Sequence, residues 1–305
     1  MNLSLVTGNV GNPSSGLYYL YSGSNQQGAM DMGCSPSYLP GHHHAQEKDA
    51  IHRLQEKWGG TLPLSSGIGI TEIAKSINQG KLKALLIIGT NPNFINGELD
   101  GFIESLKKLE FLVVLGTFPN DVSNLADVVI PITTFAENEG TYTNMERRVQ
   151  IVQPVLGSKG DEESAWRIIS QLARRMGANG FDYEDSESVF DEIRSVVDIY
   201  QGMSLEKLKP SGLQWPSTNG VAEETPLLPI SSHEGFLAKM RTFNLPIPST
   251  DRNPEYPFLL AKGRLLSQPD GNSVVKNDGK RNTVHRKEVI ELHESDASSL
   301  GLSDG

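Results

Sequence analysis

One cysteine, Cys34, stands in 305 residues. That scarcity excludes an internal disulfide, a multi-cysteine metal site and an iron–sulfur cluster ligated by this segment alone. Basic residues are also in deficit: 27 Lys and Arg against 37 Asp and Glu leave a net charge of −10, so a broad electrostatic grip on nucleic acid or on an anionic membrane is not the basis of function. A small anion can still be held locally. No run approaches the roughly 18 to 20 apolar residues that a membrane span requires, and the first residues have neither the basic nor the long apolar stretch of a secretory leader. These features read as a cytoplasmic chain. The Gly-x-Gly-x-x-Gly fingerprint and the Gly-x-x-x-x-Gly-Lys-Ser/Thr loop are both missing, which argues against the usual dinucleotide redox cofactors and against P-loop hydrolysis.

What is present is enough for a core. A hydrophobic content of 37% over this length suits two domains of ordinary size and excludes a disordered chain. Both ends look abrupt, with Leu3, Leu5 and Val6 running into a glycine turn at one end and Gly301 to Gly305 closing on a turn signal at the other. The chain is accordingly expected to be part of a longer protein.

Residues 8 to 41 are rich in glycine, serine, asparagine and proline and show no sustained period, the mark of a long loop system. Ile51, Leu54 and Trp58 predict a short amphipathic helix stopped at Gly59-Gly60, and Thr71 is the expected cap of a helix running to Asn78 and stopped by Gly80. Three apolar runs of strand length follow, Ala84 to Ile88, Phe111 to Leu115 and Val128 to Ile130, with a helix carrying Leu99, Phe102, Ile103 and Leu106 between the first two. Continuous apolar strands alternating with amphipathic helices predict the α/β class: a doubly wound, mostly parallel sheet covered on both faces. Asp161 to Met176 reads as the closing helix, with acids at its positive end, Arg174 and Arg175 at its negative end and an apolar stripe of Trp166, Ile169, Leu172 and Met176.

Residues 181 to 206 carry eight acids and one base, with Val189, Ile193, Val196 and Val197 marking another helix; prolines then crowd residues 207 to 254 as a connector. Strand-like pieces at Tyr256 to Ala261 and Glu288 to Leu292 predict the start of a β-domain too short to close. The expected organisation is a loop-rich cofactor-proximal segment (1–60), a doubly wound nucleotide-binding domain (61–180), a helical and proline-rich connector (181–254) and a truncated β-barrel domain (255–305).

The chemistry is expected at the carboxyl ends of the parallel strands, where loops feed into helices. The first strand ends Gly89-Thr90-Asn91-Pro92, the second Gly116-Thr117, and the third leads into a loop from Glu137 to Arg148 rich in hydrogen-bonding side chains. The paired Arg147-Arg148 suits phosphate, so a nucleotide or pyrophosphate is the natural ligand. His42-His43-His44 cannot all face one ion from a regular element, so no metal site is expected there, and Cys34 is expected to be a buried or half-buried small residue.

Taken in order, Leu5 to Pro13, Asn25-Gln26-Gln27-Gly28-Ala29-Met30-Asp31-Met32-Gly33, Leu86 to Pro92, Ala126 to Pro131, Glu139 to Gln150 and Gly212-Leu213-Gln214-Trp215-Pro216 resemble the successive signatures of the molybdopterin oxidoreductases. The resemblance covers essentially the whole chain and is nearest to the formate dehydrogenase alpha chain and its relative, the NuoG-type subunit of NADH-quinone oxidoreductase. It implies a molybdopterin guanine dinucleotide cofactor with molybdenum, two-electron oxidation, transfer of electrons to iron–sulfur clusters (4Fe–4S expected outside this segment), and partner subunits of a formate dehydrogenase or NADH dehydrogenase complex, held at the inner face of the membrane through those partners rather than by a span of its own. It implies cofactor-binding roles for Gly8, Asn9, Gly11, Asn25, Gln27, Gly28, Gly89, Thr90, Asn91, Gly116, Thr117, Asp127, Glu139, Gly140, Thr141, Asn144 and Arg147. The catalytic residues are not among the matched motifs.

Two departures stand inside the matched region. Where formate enzymes carry an Arg-Gly pair ahead of the Asn-x-x-Gln-Gly signature, this chain has Tyr21-Ser22-Gly23, and where the second strand commonly ends in Gln-Asp, it ends Leu115-Gly116. Both open the alternative of a non-catalytic structural subunit with a decayed pterin site.

Overall fold

The computed structural model describes residues 2–20, 23–89, 101–158, 160–217, 257–258 and 290–304. The chain divides into two compact units, residues 1–247 and 248–305.

Within the first unit, the amino-terminal residues form a short helix, α1 (Asn2–Val6), followed by turns through Gly8 and Gly11, both at positive φ. Helix α2 (Gln26–Asp31) follows Asn25 and carries Gln27 and Gly28 of the matched Asn25 to Gly33 segment. A two-residue hairpin, β1 (Tyr38–Leu39) and β2 (His43–His44), precedes α3 (Lys48–Trp58), whose expected glycine stop is realised by Gly59 at φ 68°. Helix α4 (Ile70–Asn78) starts one residue before Thr71; its amino end is Gly69, whose N–H donates to the Glu72 carboxylate, so Thr71 lies inside the helix instead of capping it.

Strands β3 (Ala84–Ile88), β4 (Phe111–Gly116) and β5 (Val128–Pro131) form the parallel sheet in that order, with α5 (Phe102–Leu106) between the first two. The sheet is parallel as the apolar runs require, but its order runs in one direction only among the described residues. Among the described residues its cover is one-sided. Ile87, Leu112 and Val114 pack with Ile77 of α4 and with Phe102 and Leu106 of α5 into one buried cluster. The opposite face leaves Leu86, Ile88, Phe111 and Val128 between 38% and 46% exposed, with Leu115 the buried exception. Among the described residues α4 and α5 share one side of the sheet, and the expected cover of the second face is not seen there.

The polar stretch read as a loop is a hairpin. Strands β6 (Gly140–Thr143) and β7 (Arg148–Val152) pair antiparallel across a turn at residues 144–147, and β8 (Leu213–Gln214) adds to β7. The turn is set by Asn144, whose Oδ1 accepts the Glu146 and Arg148 N–H groups at 2.9 and 3.0 Å while Arg147 takes φ 67°. An asparagine side chain that replaces backbone acceptors this way closes a tight turn. Helix α6 (Ala165–Arg175) begins later than Asp161, because Glu163 forms a parallel bridge to Ile132 and its carbonyl accepts the Thr133 N–H. Residues Ile169, Leu172 and Met176 of its stripe are 37%, 43% and 78% exposed. Helix α7 (Ser186–Val196) is capped by Asp185, a turn at Asp198–Tyr200 follows, and α8 (Leu205–Leu208) leads to β8. A second core of Val149, Phe190, Val197, Tyr200, Met203 and Leu208 ties these elements together.

In the second unit, Ile290 to Leu292 are not extended into a strand and the chain turns into α9 (Glu294–Ser299), started by His293 accepting the Ser295 N–H. The expected strand therefore does not reach these residues, and the remainder of the expected β-barrel lies outside the described residues.

Candidate functional site: a cleft walled by α2 and the polar hairpin

A cleft of about 190 Å3 is lined by Asn25, Gly28 and Met32 of the α2 region, Glu139 and the β6 residues Gly140, Thr141 and Thr143, and Trp166, Val189, Phe190, Ile193, Tyr200 and Leu205. It unites five of the residues singled out in the sequence, Asn25, Gly28, Glu139, Gly140 and Thr141, although more than a hundred positions separate the two groups. One wall is polar and the other apolar, the composition expected of a site for a flat organic ligand.

The polar wall is locked by side chains. Asn25 Oδ1 accepts the Thr143 backbone N–H at 2.8 Å. Gly28 permits that approach, since a Cβ there would lie 2.2 Å from Asn25 Oδ1 and 3.3 Å from Thr143 Oγ1. The Glu139 carboxylate accepts from the Ser186 hydroxyl at 3.1 Å.

Beneath the wall sits Asp31, fully buried. Its Oδ1 lies 2.8 Å from both Gln27 Nε2 and His42 Nε2, and its Oδ2 accepts from the Tyr200 hydroxyl at 2.7 Å and the Trp215 indole N–H at 2.9 Å. Four segments thus meet at one carboxylate. Burial, and then the charge of Asp31, raise the Tyr200 pKa well above the ordinary phenol range, so the phenol keeps its proton. Arg147 stands 5.2 Å from the Trp215 ring centroid and donates to the Trp215 carbonyl. Burial lowers its pKa from the ordinary guanidinium value, against the opposing charges of Tyr18 and Asp31, yet a guanidinium remains charged. Asp31, His42, Tyr200, Trp215 and Thr143 were not picked out individually by sequence reasoning. Asp31 and Trp215 lay within matched motifs, but nothing local signalled that they meet.

The other expected residues lie in separate places. Gly89 and Gly116 end β3 and β4 at the carboxyl edge of the parallel sheet, where the Gly89 N–H donates to the Leu115 carbonyl at 2.8 Å, and Thr117 follows directly. Thr90 and Asn91 lie outside the described residues. Asp127 is at the opposite, amino edge, and its carboxylate accepts the Leu112 N–H at 2.7 Å. Gly8, Asn9 and Gly11 form the turns after α1, held by Asn9 to Thr7 and Asn12 to Gly8 bonds. Gln27 is engaged by Asp31. The three histidines diverge: His42 goes to Asp31, His43 to Glu47 and Arg53, and the His44 ring to Tyr38. Cys34 is exposed, contrary to expectation.

Comparison with known proteins gives a consistent answer. The family model described as molybdopterin oxidoreductase matches residues 1–175. The alpha subunit of an F420-dependent formate dehydrogenase of Methanococcus maripaludis is 35% identical over all of this chain and 45% of its own length. The corresponding subunit of Methanocaldococcus jannaschii is 31% identical over the same shares, and a probable oxidoreductase of Bacillus subtilis is 32% identical over all of this chain and 31% of its own length. This chain thus spans less than half the length of these relatives. A solved structure of acetylene hydratase from Pelobacter acetylenicus aligns with a TM-score of 0.41 at 18% identity, over 60% of this chain and 27% of its own, too low for an argument from fold. The length of the family match and the identity of the relatives establish that the chain belongs to the molybdopterin oxidoreductase family.

Proposed function

We propose that this chain is the cofactor-binding part of a molybdopterin-dependent oxidoreductase of the formate dehydrogenase kind, and that it holds a molybdopterin guanine dinucleotide. The observation that carries the reading is the cleft, which gathers Asn25, Gly28, Glu139, Gly140 and Thr141 from distant parts of the sequence against an apolar wall. The residues fit such a group. Asn25, Thr141 and Glu139 offer an amide, a hydroxyl and a carboxylate to a polar ring edge, and Trp166 and Phe190 offer aromatic surface. At Gly8, Gly89 and Gly140 nothing lies within 4 Å of where a Cβ would stand, so the backbone there is open to close approach by phosphate or sugar. The sheet edge at Gly89 and Gly116 is the place for the nucleotide end, with Thr90, Asn91 and Thr117, and the Gly8 to Gly11 turns and the Asn144 to Arg147 turn are further candidates for contact.

When bound, the group supplies a molybdenum centre able to take two electrons from a small donor such as formate. The chain's own residues bind and orient it, and the apolar wall of Val189, Phe190 and Ile193 excludes water from one side. The relatives named as alpha subunits support partner subunits, and iron–sulfur clusters held outside this chain are part of the same proposal. Among the described residues no helix is long and apolar enough to cross a membrane. The test is to purify the protein from a host that makes the cofactor and to measure molybdenum and released guanine nucleotide; both are expected in constant ratio to protein, and a preparation free of both contradicts the reading.

A second reading, a structural subunit of a respiratory NADH dehydrogenase with a decayed site, is favoured by β4 ending in buried Leu115 and Gly116, which places no carboxylate there for a guanine. The same measurement separates the two.

A further inference from the structure

Counting hydrogens around Asp31 fixes the polarity of the cleft wall. The Trp215 indole nitrogen and the Gln27 amide nitrogen can only donate, so each Asp31 oxygen accepts at least one bond. Tyr200 has a single hydroxyl hydrogen, and it is committed to Asp31 Oδ2 at 2.7 Å. The Thr143 hydroxyl lies 2.8 Å from the same Tyr200 oxygen, so Thr143 is the donor in that pair and its Oγ1 is left with lone pairs only. On the other side of Thr143, the backbone N–H is held by Asn25 Oδ1. That assigns the Asn25 amide unambiguously, because only its oxygen can accept. Its Nδ2 keeps both hydrogens, and among the described residues no acceptor takes them.

Asn25, Thr143 and Tyr200 all line the cleft. The same wall thus offers a fixed donor and a fixed acceptor, the two groups that complement a cyclic amide edge, in which a carbonyl oxygen and a ring N–H stand side by side. We propose that Asp31, acting through Tyr200 and Thr143, is a positioning residue that makes the cleft select ligands carrying a lactam edge over ligands with the reversed edge. The inference rests on the cofactor reading given above, since pterin and guanine rings both carry such an edge, and it adds the residues that choose it. Asp31 does not touch the ligand in this scheme. It removes the freedom of two hydroxyl groups to reorient, and a mismatched ligand must then face donor against donor or acceptor against acceptor, which costs more than the loss of one bond.

The test titrates the full chain with pterin and with 2,4-diaminopteridine, in which an amino group replaces the carbonyl and the adjacent ring nitrogen becomes an acceptor. The quantity read is the ratio of the two dissociation constants from ligand fluorescence. The wild-type protein is expected to prefer pterin by about tenfold or more. Asp31→Asn and Tyr200→Phe, the second keeping the ring and its packing, are expected to bring the ratio within about twofold of one. A general loosening of the fold weakens both ligands together and leaves the ratio unchanged. A wild-type protein that binds both equally, or a Tyr200→Phe protein that keeps the full preference, overturns the inference while leaving the cofactor reading in place. A wild-type protein that binds neither ring overturns both.

Discussion

At the scale of single residues, Asp31 has the widest reach. A fully buried carboxylate that holds donors from α2, the β1–β2 hairpin, the Asp198–Tyr200 turn and Trp215 ties the motif helix to the second core. Asp31→Ala leaves buried N–H and O–H groups without an acceptor and is expected to cost about 3 kcal/mol, read as a lower urea midpoint in equilibrium unfolding. Nothing in the sequence announces this role, since its partners His42, Tyr200 and Trp215 lie 11, 169 and 184 positions away and no spacing rule links such distances. The stops at Gly59 and Gly80 were legible for the opposite reason. A positive φ after a helix is a local demand that glycine meets within the same few residues.

Among the elements, the parallel strands were legible because runs of three to five consecutive apolar residues, alternating with amphipathic stretches, have few other uses. The β6–β7 hairpin was not. Its first strand is short and polar, with Thr141, Tyr142 and Thr143 offering no alternation of polarity, and its turn depends on one side chain. Asn144→Ala removes the acceptor of the Glu146 and Arg148 N–H groups and is expected to destabilise the protein by about 1 to 2 kcal/mol, with a loss of amide protection confined at first to residues 140–152. The late start of α6 was hidden because acids at 161–163 suit a helix amino terminus, while the bridge of Glu163 to Ile132 is a tertiary fact. Helix α7 makes a pH prediction. The side-chain and backbone hydrogen bonds from Ser188 hold the Asp185 carboxyl below the ordinary carboxylate range. A lowered folded-state pKa means that the cap's contribution is present above the unfolded value and is lost as pH falls through the folded one. Amide exchange at Ser188 is therefore expected to accelerate in acid through that window, and Asp185→Asn to flatten the dependence.

Across the whole molecule, and among the described residues, apolar surface is left open on the second face of the parallel sheet and on the stripe of α6. A parallel sheet is ordinarily buried on both sides, and the relatives that match all of this chain are more than twice as long. The sheet edge at Gly89 and Gly116 proposed for the nucleotide, the cleft at Asn25 and Glu139, and the turns at Gly8 and Gly11 belong to one compact unit. Family membership was legible from the order of motifs along the chain, which survives the loss of any one of them. The geometry of the cleft was not, because it forms where α2 meets β6 through the contact of Asn25 with Thr143.

The central claim is that this cleft is where the cofactor is held, and hydrogen exchange of the purified chain with and without molybdopterin guanine dinucleotide tests it most directly. Slowed exchange at residues 25–32 and 139–144, with Asp127 and its neighbours unchanged, is the predicted result. Unaltered exchange across both cleft segments, or protection found only at the amino edge of the parallel sheet, would contradict it.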